Sequence, residues 1–265
     1  MKKVIYLILV SLTSSVIAQE NNTWRIGLQW GGQDNHAKFI GGMDEANARF
    51  HQKSFGAGSF NVIGRYDIDN RWMIQTGLGF NSFGFEFALA ENYSFLGKGA
   101  RSSTIKTEFV AFEIPLMGFY KFNPNCRNAK WLIGGGFASQ MIGSQTVDKS
   151  YTNKTEGTTT PSRYLNSQAT SGNGGYLMLR FAVGREKAFK KGGILNATLV
   201  FNAGLSGSMA RATVNYTVDG QDYTHQFSND GNYVGLKLAY FFRPLKSNVS
   251  KNTPPKATKI NSLNN

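Results

Sequence analysis

The sequence predicts an all-β fold, an eight-stranded antiparallel up-and-down transmembrane β-barrel. Three observations lead there. Apolar and polar residues alternate with period two in eight segments, the pattern of strands with one apolar face. Each apolar face persists for roughly nine to eleven residues, the length a tilted strand needs to cross a bilayer. The connections are short and long in turn, as in outer-membrane barrels, whose short turns are periplasmic.

The segments run in order. In 24–30, Trp24, Ile26, Leu28 and Trp30 alternate with Arg25, Gly27 and Gln29. In 55–66, Phe60, Val62 and Tyr66 oppose Ser59, Asn61 and Arg65. In 72–82, Trp72, Ile74, Leu78 and Phe80 oppose Gln75, Gly77, Gly79 and Asn81. In 107–122, Val110, Phe112, Ile114, Leu116 and Tyr120 oppose Ala111, Glu113, Met117 and Lys121. The fifth, 131–142, is weaker, with Trp131, Ile133, Phe137 and Met141 outward. The sixth, 176–187, sets Leu177, Leu179, Phe181 and Val183 against Tyr176, Arg180, Gly184 and Glu186. The seventh, 194–205, has Leu199 facing lipid and Asn202 facing the lumen, where an Arg is expected to be tolerated better. The eighth, 233–242, sets Val234, Leu236, Leu238, Tyr240 and Phe242 against Gly235, Lys237 and Ala239.

Short turns are expected at 67–70, 123–128 and 190–193, and long loops at 31–53, 83–106 and 143–175. The dipeptide Asp219-Gly220 is a type I′ signal, so the last two strands are expected to continue above the membrane as a hairpin. Past Ser82 the aromatics change parity, to Phe83, Phe85 and Phe87. A bulge or the end of the membrane zone explains this equally well from sequence.

The ends of the chain set its destination. Lys2 and Lys3, the apolar run Val4 to Val10 and Val16-Ile17-Ala18 before Gln19 make residues 1–18 a cleavable export signal. Residues 19–242 are then the barrel domain. Residues 243–265 carry five Lys or Arg and no acid, with Pro254-Pro255 among them, and are expected to form a disordered periplasmic tail. The single cysteine, Cys126, excludes an internal disulfide. Export, and the lack of a basic helix interleaved with aromatics, argue against nucleic acid as the partner of a chain of charge +13.

Residues 112–122, Phe-Glu-Ile-Pro-Leu-Met-Gly-Phe-Tyr-Lys-Phe, resemble the aromatic-Glu-Ile-Pro-Leu strand of the PorT-like outer-membrane barrels of Bacteroidota. Trp131 to Gly136 matches the apolar strand ending in Gly-Gly that follows in that family, and Arg71 to Leu78 is similar to its third strand. Gly235 to Phe242 resembles the terminal signal read by the outer-membrane barrel assembly machinery, although a tail follows it here. The resemblance implies the fold and the outer membrane, with its lipid and lipopolysaccharide, as the surroundings. Some members of that family serve protein secretion and gliding, so envelope or secretion proteins are the partners it implies.

Catalytic and cofactor chemistry is not legible. His36, His51 and His225 all fall toward the long-loop side, and spacing alone does not make them a metal site. Asp34, His36 and loop serines do not define a rim hydrolase. Gly172-Asn173-Gly174-Gly175 leads into a strand and opens no helix, so it is no phosphate cradle, and no cofactor is expected. The charges are more informative. Arg25, Arg65, Glu113, Lys121, Arg180, Glu186 and Lys237 all fall on the inward face. By height they sort into an upper group of Glu113, Arg180 and Lys237 and a lower group of Arg25, Arg65 and Glu186, with Lys121 near the exit. They make either a polar conduit or a plug of paired charges. A barrel of eight strands is only wide enough for its own side chains, and unpaired buried charge is costly, which favours the plug. The function expected is therefore structural or interaction-based and non-enzymatic: surface binding by the outer loops, or a scaffold in an envelope or secretion complex. A small-solute channel, a rim enzyme and a secreted soluble ligand-binding barrel are the alternatives.

Overall fold

The computed structural model describes residues 23–42, 50–90, 102–122, 129–154, 161–190, 192–218 and 220–243. The expected export signal, Cys126, Asp219 and the tail from residue 244 lie outside the described residues. The barrel is built from β1 (Thr23–Asn35), β4 (Phe55–Asp67), β5 (Trp72–Ala90), β6 (Ser102–Phe122), β7 (Ala129–Ile142), β10 (Gly174–Ala188), β11 (Ile194–Gly204) and β14 (Tyr233–Phe241). Between them come β2 (Lys38–Gly42), β3 (Phe50–Lys53), β8 (Gln145–Lys154), β9 (Pro161–Ser171), β12 (Ala210–Val218) and β13 (Gln221–Asn229).

Each barrel strand pairs antiparallel with the barrel strands before and after it in the chain. The β1–β14 ladder, from Gly27↔Phe241 to Asn35↔Tyr233, closes the ring. All eight expected segments are strands, with ends displaced mainly where a strand continues beyond the membrane zone.

The two faces are chemically inverted relative to a soluble protein. Leu78, Phe80, Leu116, Phe181 and Leu236 point outward and are exposed, whereas Gln29, Asn61, Gln75, Glu113, Arg180 and Lys237 point inward and are buried. That is the reverse of a soluble barrel enclosing an apolar ligand. Aromatics ring the outer wall near the short turns, with Trp24–Tyr66 centroids 5.0 Å apart and Trp72–Tyr120 centroids 4.9 Å apart. Toward the other end, Trp30, Phe60, Phe80 and Phe112 sit directly opposite one another on successive strands. Such girdles bound the hydrocarbon zone of outer-membrane barrels. Leu199 lies on the outward face between them, so Leu199→Arg should cost about 2–4 kcal/mol near mid-membrane. Urea titration of the folded barrel in lipid vesicles measures it. A loss below that range would move Leu199 out of the hydrocarbon.

Above the upper girdle most of the described residues are in strands. The regions 31–53, 83–106 and 143–175, expected to be loops, carry strand extensions and hairpins. A five-stranded sheet, β2-β13-β12-β9-β8, faces the upper part of the β5–β6 hairpin. The change of aromatic parity past Ser82 is not a bulge. The β5–β6 ladder keeps one register from Trp72↔Tyr120 to Ala90↔Ser102. The odd-numbered residues of β5 point inward throughout; what changes is the inside. Below Ser82 it is a polar lumen. Above, Phe83, Phe85, Phe87 and Leu89 meet Leu165, Ala169, Val214, Tyr216 and Phe227 in an apolar core. The outer face of this cap is polar, with Asn166, Gln168, Asn215 and Thr224 alternating with the buried residues. Its Ser, Thr, Asn and Gln content gives these segments the composition of loops. The expected hairpin is present as β12–β13, but it belongs to the second sheet and does not continue β11 and β14; its Gly220 has φ 80°, the left-handed conformation a tight hairpin turn requires.

Candidate functional site in the lumen

The inward charges meet at two levels. In the upper cluster, β6 supplies Glu113, β10 Arg180, β14 Lys237 and Tyr233, β7 Gln140, and β11 Asn202. The Arg180 guanidinium grips Glu113 with both outer nitrogens, Nη1 to Oε1 at 2.9 Å and Nη2 to Oε2 at 2.7 Å. Gln140 Nε2 donates to Glu113 Oε2 at 2.9 Å, and Lys237 Nζ to Oε1 at 3.4 Å. Arg180 also donates to the Tyr233 hydroxyl at 2.7 Å and, through Nε, to Asn202 Oδ1 at 3.1 Å. The fork geometry fixes the carboxylate in two directions, and Glu113 is 0 % exposed. Five strands are thereby joined across the lumen.

The lower cluster lies at the short-turn end. Arg65 Nη1 donates to Glu186 Oε2 at 2.5 Å, while its Nη2 and Nε reach Asp67 Oδ1 at 2.7 and 3.0 Å. Lys121 Nζ reaches the same Oδ1 at 2.5 Å. Arg25 stands 4.0 Å from Asp67 and donates to the Gly192 carbonyl at 2.6 Å. All seven inward charges of the sequence reading thus join one of the two clusters. Glu113, Arg180 and Lys237 gather above, and Arg25, Arg65, Lys121 and Glu186 below.

Two corrections follow. Asp67 is not the first residue of the turn but the last of β4, and it points inward. Its position two residues after Arg65 places both on one face by the strand period, a signal available from sequence. The lower group therefore has two acids rather than one. Asn202, expected to accept an Arg mildly, is a buried partner of Arg180, and an Arg there would set two guanidinium groups together. The lumen also holds apolar packing around the charges. Met73, Met117, Phe119, Leu132 and Val200 form one buried group, and Ile63, Ala239 and Phe241 belong to another.

The turn that follows Asp67 is held by Asp69, whose carboxylate accepts the backbone N–H groups of Arg71 and Trp72, both at 2.6 Å. Those bonds hold its carboxyl below the usual carboxylate range.

The histidines do not converge on one another. His36 is exposed beside Asp34, and His51 is exposed on β3. His225 is buried in the cap, its Nε2 3.0 Å from the Tyr216 hydroxyl. Among the described residues no group of three or more His, Cys, Asp or Glu is arranged to hold a metal. Burial pushes the His225 imidazole below its ordinary pKa. An unfolded cap would bind that proton more readily than the folded one. Stability should therefore fall as pH drops below about 6.5, with the loss complete once pH passes below the depressed folded value. Hydrogen exchange of β12 and β13 should accelerate through that window, and His225→Gln should abolish the dependence. An unchanged pH profile in the variant would assign the effect elsewhere.

A closed antiparallel barrel with an apolar band outside and paired charges inside defines an integral outer-membrane β-barrel. The chain belongs to the outer membrane protein beta-barrel domain family, whose profile matches residues 17–240. No curated protein matches it in sequence. Among solved structures it is similar to the N-terminal β-barrel domain of Pseudomonas aeruginosa OprF, at 11% identity over 83% of this chain and 98% of that one, TM-score 0.38. OprG of the same organism matches at 9% identity over 84% and 95%, TM-score 0.39. The attachment invasion locus protein Ail of Yersinia pestis matches at 11% identity over 83% and 99%, TM-score 0.33.

Proposed function

We propose that this chain is a sealed, non-enzymatic outer-membrane scaffold that acts through its cap, by binding at the cell surface or within an envelope or secretion complex. The carrying observation is the filled interior: two levels of paired charges with apolar packing around them, and an aromatic core above. A lumen so occupied leaves the outer face of the cap as the surface available for partners. The motif resemblance to PorT-like barrels of Bacteroidota, some of which serve secretion and gliding, favours the complex-forming version. In this reading residues 1–18 are removed on export, the assembly machinery inserts the barrel from its last strand, and the short turns and the tail face the periplasm.

Planar-bilayer recording tests the seal. The purified protein should give no discrete channel openings, and a sizeable ionic conductance altered by Glu113→Gln would replace the scaffold with a channel. Orientation is tested by cysteines introduced at Gln168 in the cap and Lys190 at the short-turn end. An impermeant thiol reagent should label Gln168→Cys on intact cells and Lys190→Cys only after the outer membrane is opened. The opposite order would invert the barrel. Co-purification from native membranes should then recover envelope proteins in amounts that fall when the cap is altered.

A further inference from the structure

We propose that the short-turn rim of the β5–β6–β7–β10 wall binds the headgroup phosphate of an anionic glycerophospholipid. A pocket of ≈ 620 Å³ opens there, lined by Asn70, Arg71, Tyr120, Lys121, Phe122 and Lys130. Lys121 is held by Asp67, which Arg65 also grips. Lys130 makes a long 3.5 Å contact to the Asn70 carbonyl, and the Arg71 side chain is exposed, so both cations are open to an incoming anion. In the adjoining carboxylate, Asp69 Oδ1 accepts two backbone N–H groups.

Two further cations stand on the same wall, each held against an aromatic ring. The Arg185 guanidinium lies 5.7 Å from the Trp131 ring, and Lys187 Nζ lies 5.9 Å from the Phe189 ring. Trp131 is directly opposite Arg185 on one side and Phe122 on the other, so this cluster is contiguous with the pocket. A cation on an aromatic face keeps its stem against the apolar wall and its charge at the water boundary.

Immediately above the rim the wall is apolar, with Leu116, Ile133 and Val183 exposed. A free phosphate satisfies only the cations, and a zwitterionic lipid satisfies the wall but offsets its own phosphate with choline. An anionic headgroup on acyl chains satisfies both, its phosphate at Arg71 and Lys130 in the pocket mouth, with Arg185 beside Trp131 on the outer wall, and its chains along β6 and β7. In the cell this rests on the orientation proposed above, in which the rim meets the inner leaflet. The test does not, because it is made in micelles.

The intact barrel, delipidated in a neutral detergent, is titrated with dioleoyl phosphatidylglycerol or dioleoyl phosphatidylcholine and followed by native mass spectrometry. Phosphatidylglycerol should bind about tenfold more tightly, since each cation near a headgroup contributes roughly a few-fold in affinity. The pair Arg71→Gln/Lys130→Gln should lose that preference, and Arg185→Gln/Lys187→Gln should weaken it. Lys53→Gln/Arg211→Gln, which removes as much charge from the cap, should retain it. Heat-modifiable gel mobility checks that each variant is folded. Equal affinity of the native protein for both lipids overturns the site. So does loss of the preference in the cap pair, which would make the effect one of net charge alone.

Discussion

Replacing Glu113 with Gln should destabilise the barrel by about 3–5 kcal/mol, the cost of leaving buried charge without its counter-ion. Arg180 and Lys237 both converge on that carboxylate, and Glu113 is fully buried. The neutral amide can still accept a hydrogen bond, but it offsets neither cation. The double variant Glu113→Gln/Arg180→Met should cost less than the two single changes added together, because it removes the pair rather than one half of it. Urea-dependent unfolding in lipid vesicles measures both quantities. If Glu113→Gln left stability intact, or the double variant were strictly additive, the cluster would not be the staple its geometry describes.

The second large effect is expected in the cap. Phe87 is 0 % exposed and its ring centroid lies 4.9 Å from Phe227, 5.8 Å from Phe85 and 6.0 Å from Phe50. Truncating a buried Phe removes its transfer free energy and leaves a cavity, about 3–5 kcal/mol in total. Phe87→Ala should therefore open the cap, with hydrogen exchange accelerating in β9, β12 and β13. The lumen strands, held by the charge clusters, should exchange as before. Phe80→Ala is the control. That residue is seven positions earlier on the same strand but 57 % exposed on the outward face, so its loss should leave cap exchange unchanged. Cap opening by Phe80→Ala and not by Phe87→Ala would reverse the assignment of faces above Ser82.

These two residues mark where sequence reading succeeds and where it stops. Glu113 was legible because a strand alternates strictly, so a charge between Phe112 and Ile114 must point away from the lipid. Its grouping with Arg180 and Lys237 followed from strand direction and height alone. Asp67 obeys the same rule, but the turn composition of Asp67-Ile68-Asp69-Asn70 hides it. By alternation Asn202 is an ordinary lumen residue, and only the hydrogen bond Arg180 donates from the neighbouring strand sets it apart.

Phe87 shows the other kind of limit. Its parity was visible, and its meaning was not. The apolar residues of β5 leave the outer face and occupy the inner one because the surroundings exchange. Hydrocarbon gives way to water outside, and a polar lumen gives way to the opposite sheet inside. The segments that supply that sheet alternate too, but weakly, since Leu165, Ala169 and Val214 are interspersed with Ser, Thr, Asn and Gln.

By itself the sequence determined the number of barrel strands, the lipid-facing and lumen-facing sides, and the family of folds, because a period of two is a property of the extended backbone. Only the tertiary structure decided that the lumen is stapled at two levels, that Asp67 belongs to the lower one, and that described parts of the long connections form a cap. Each of those depends on which residues meet across the barrel, and such contacts are set by ring closure and packing between strands distant in the chain.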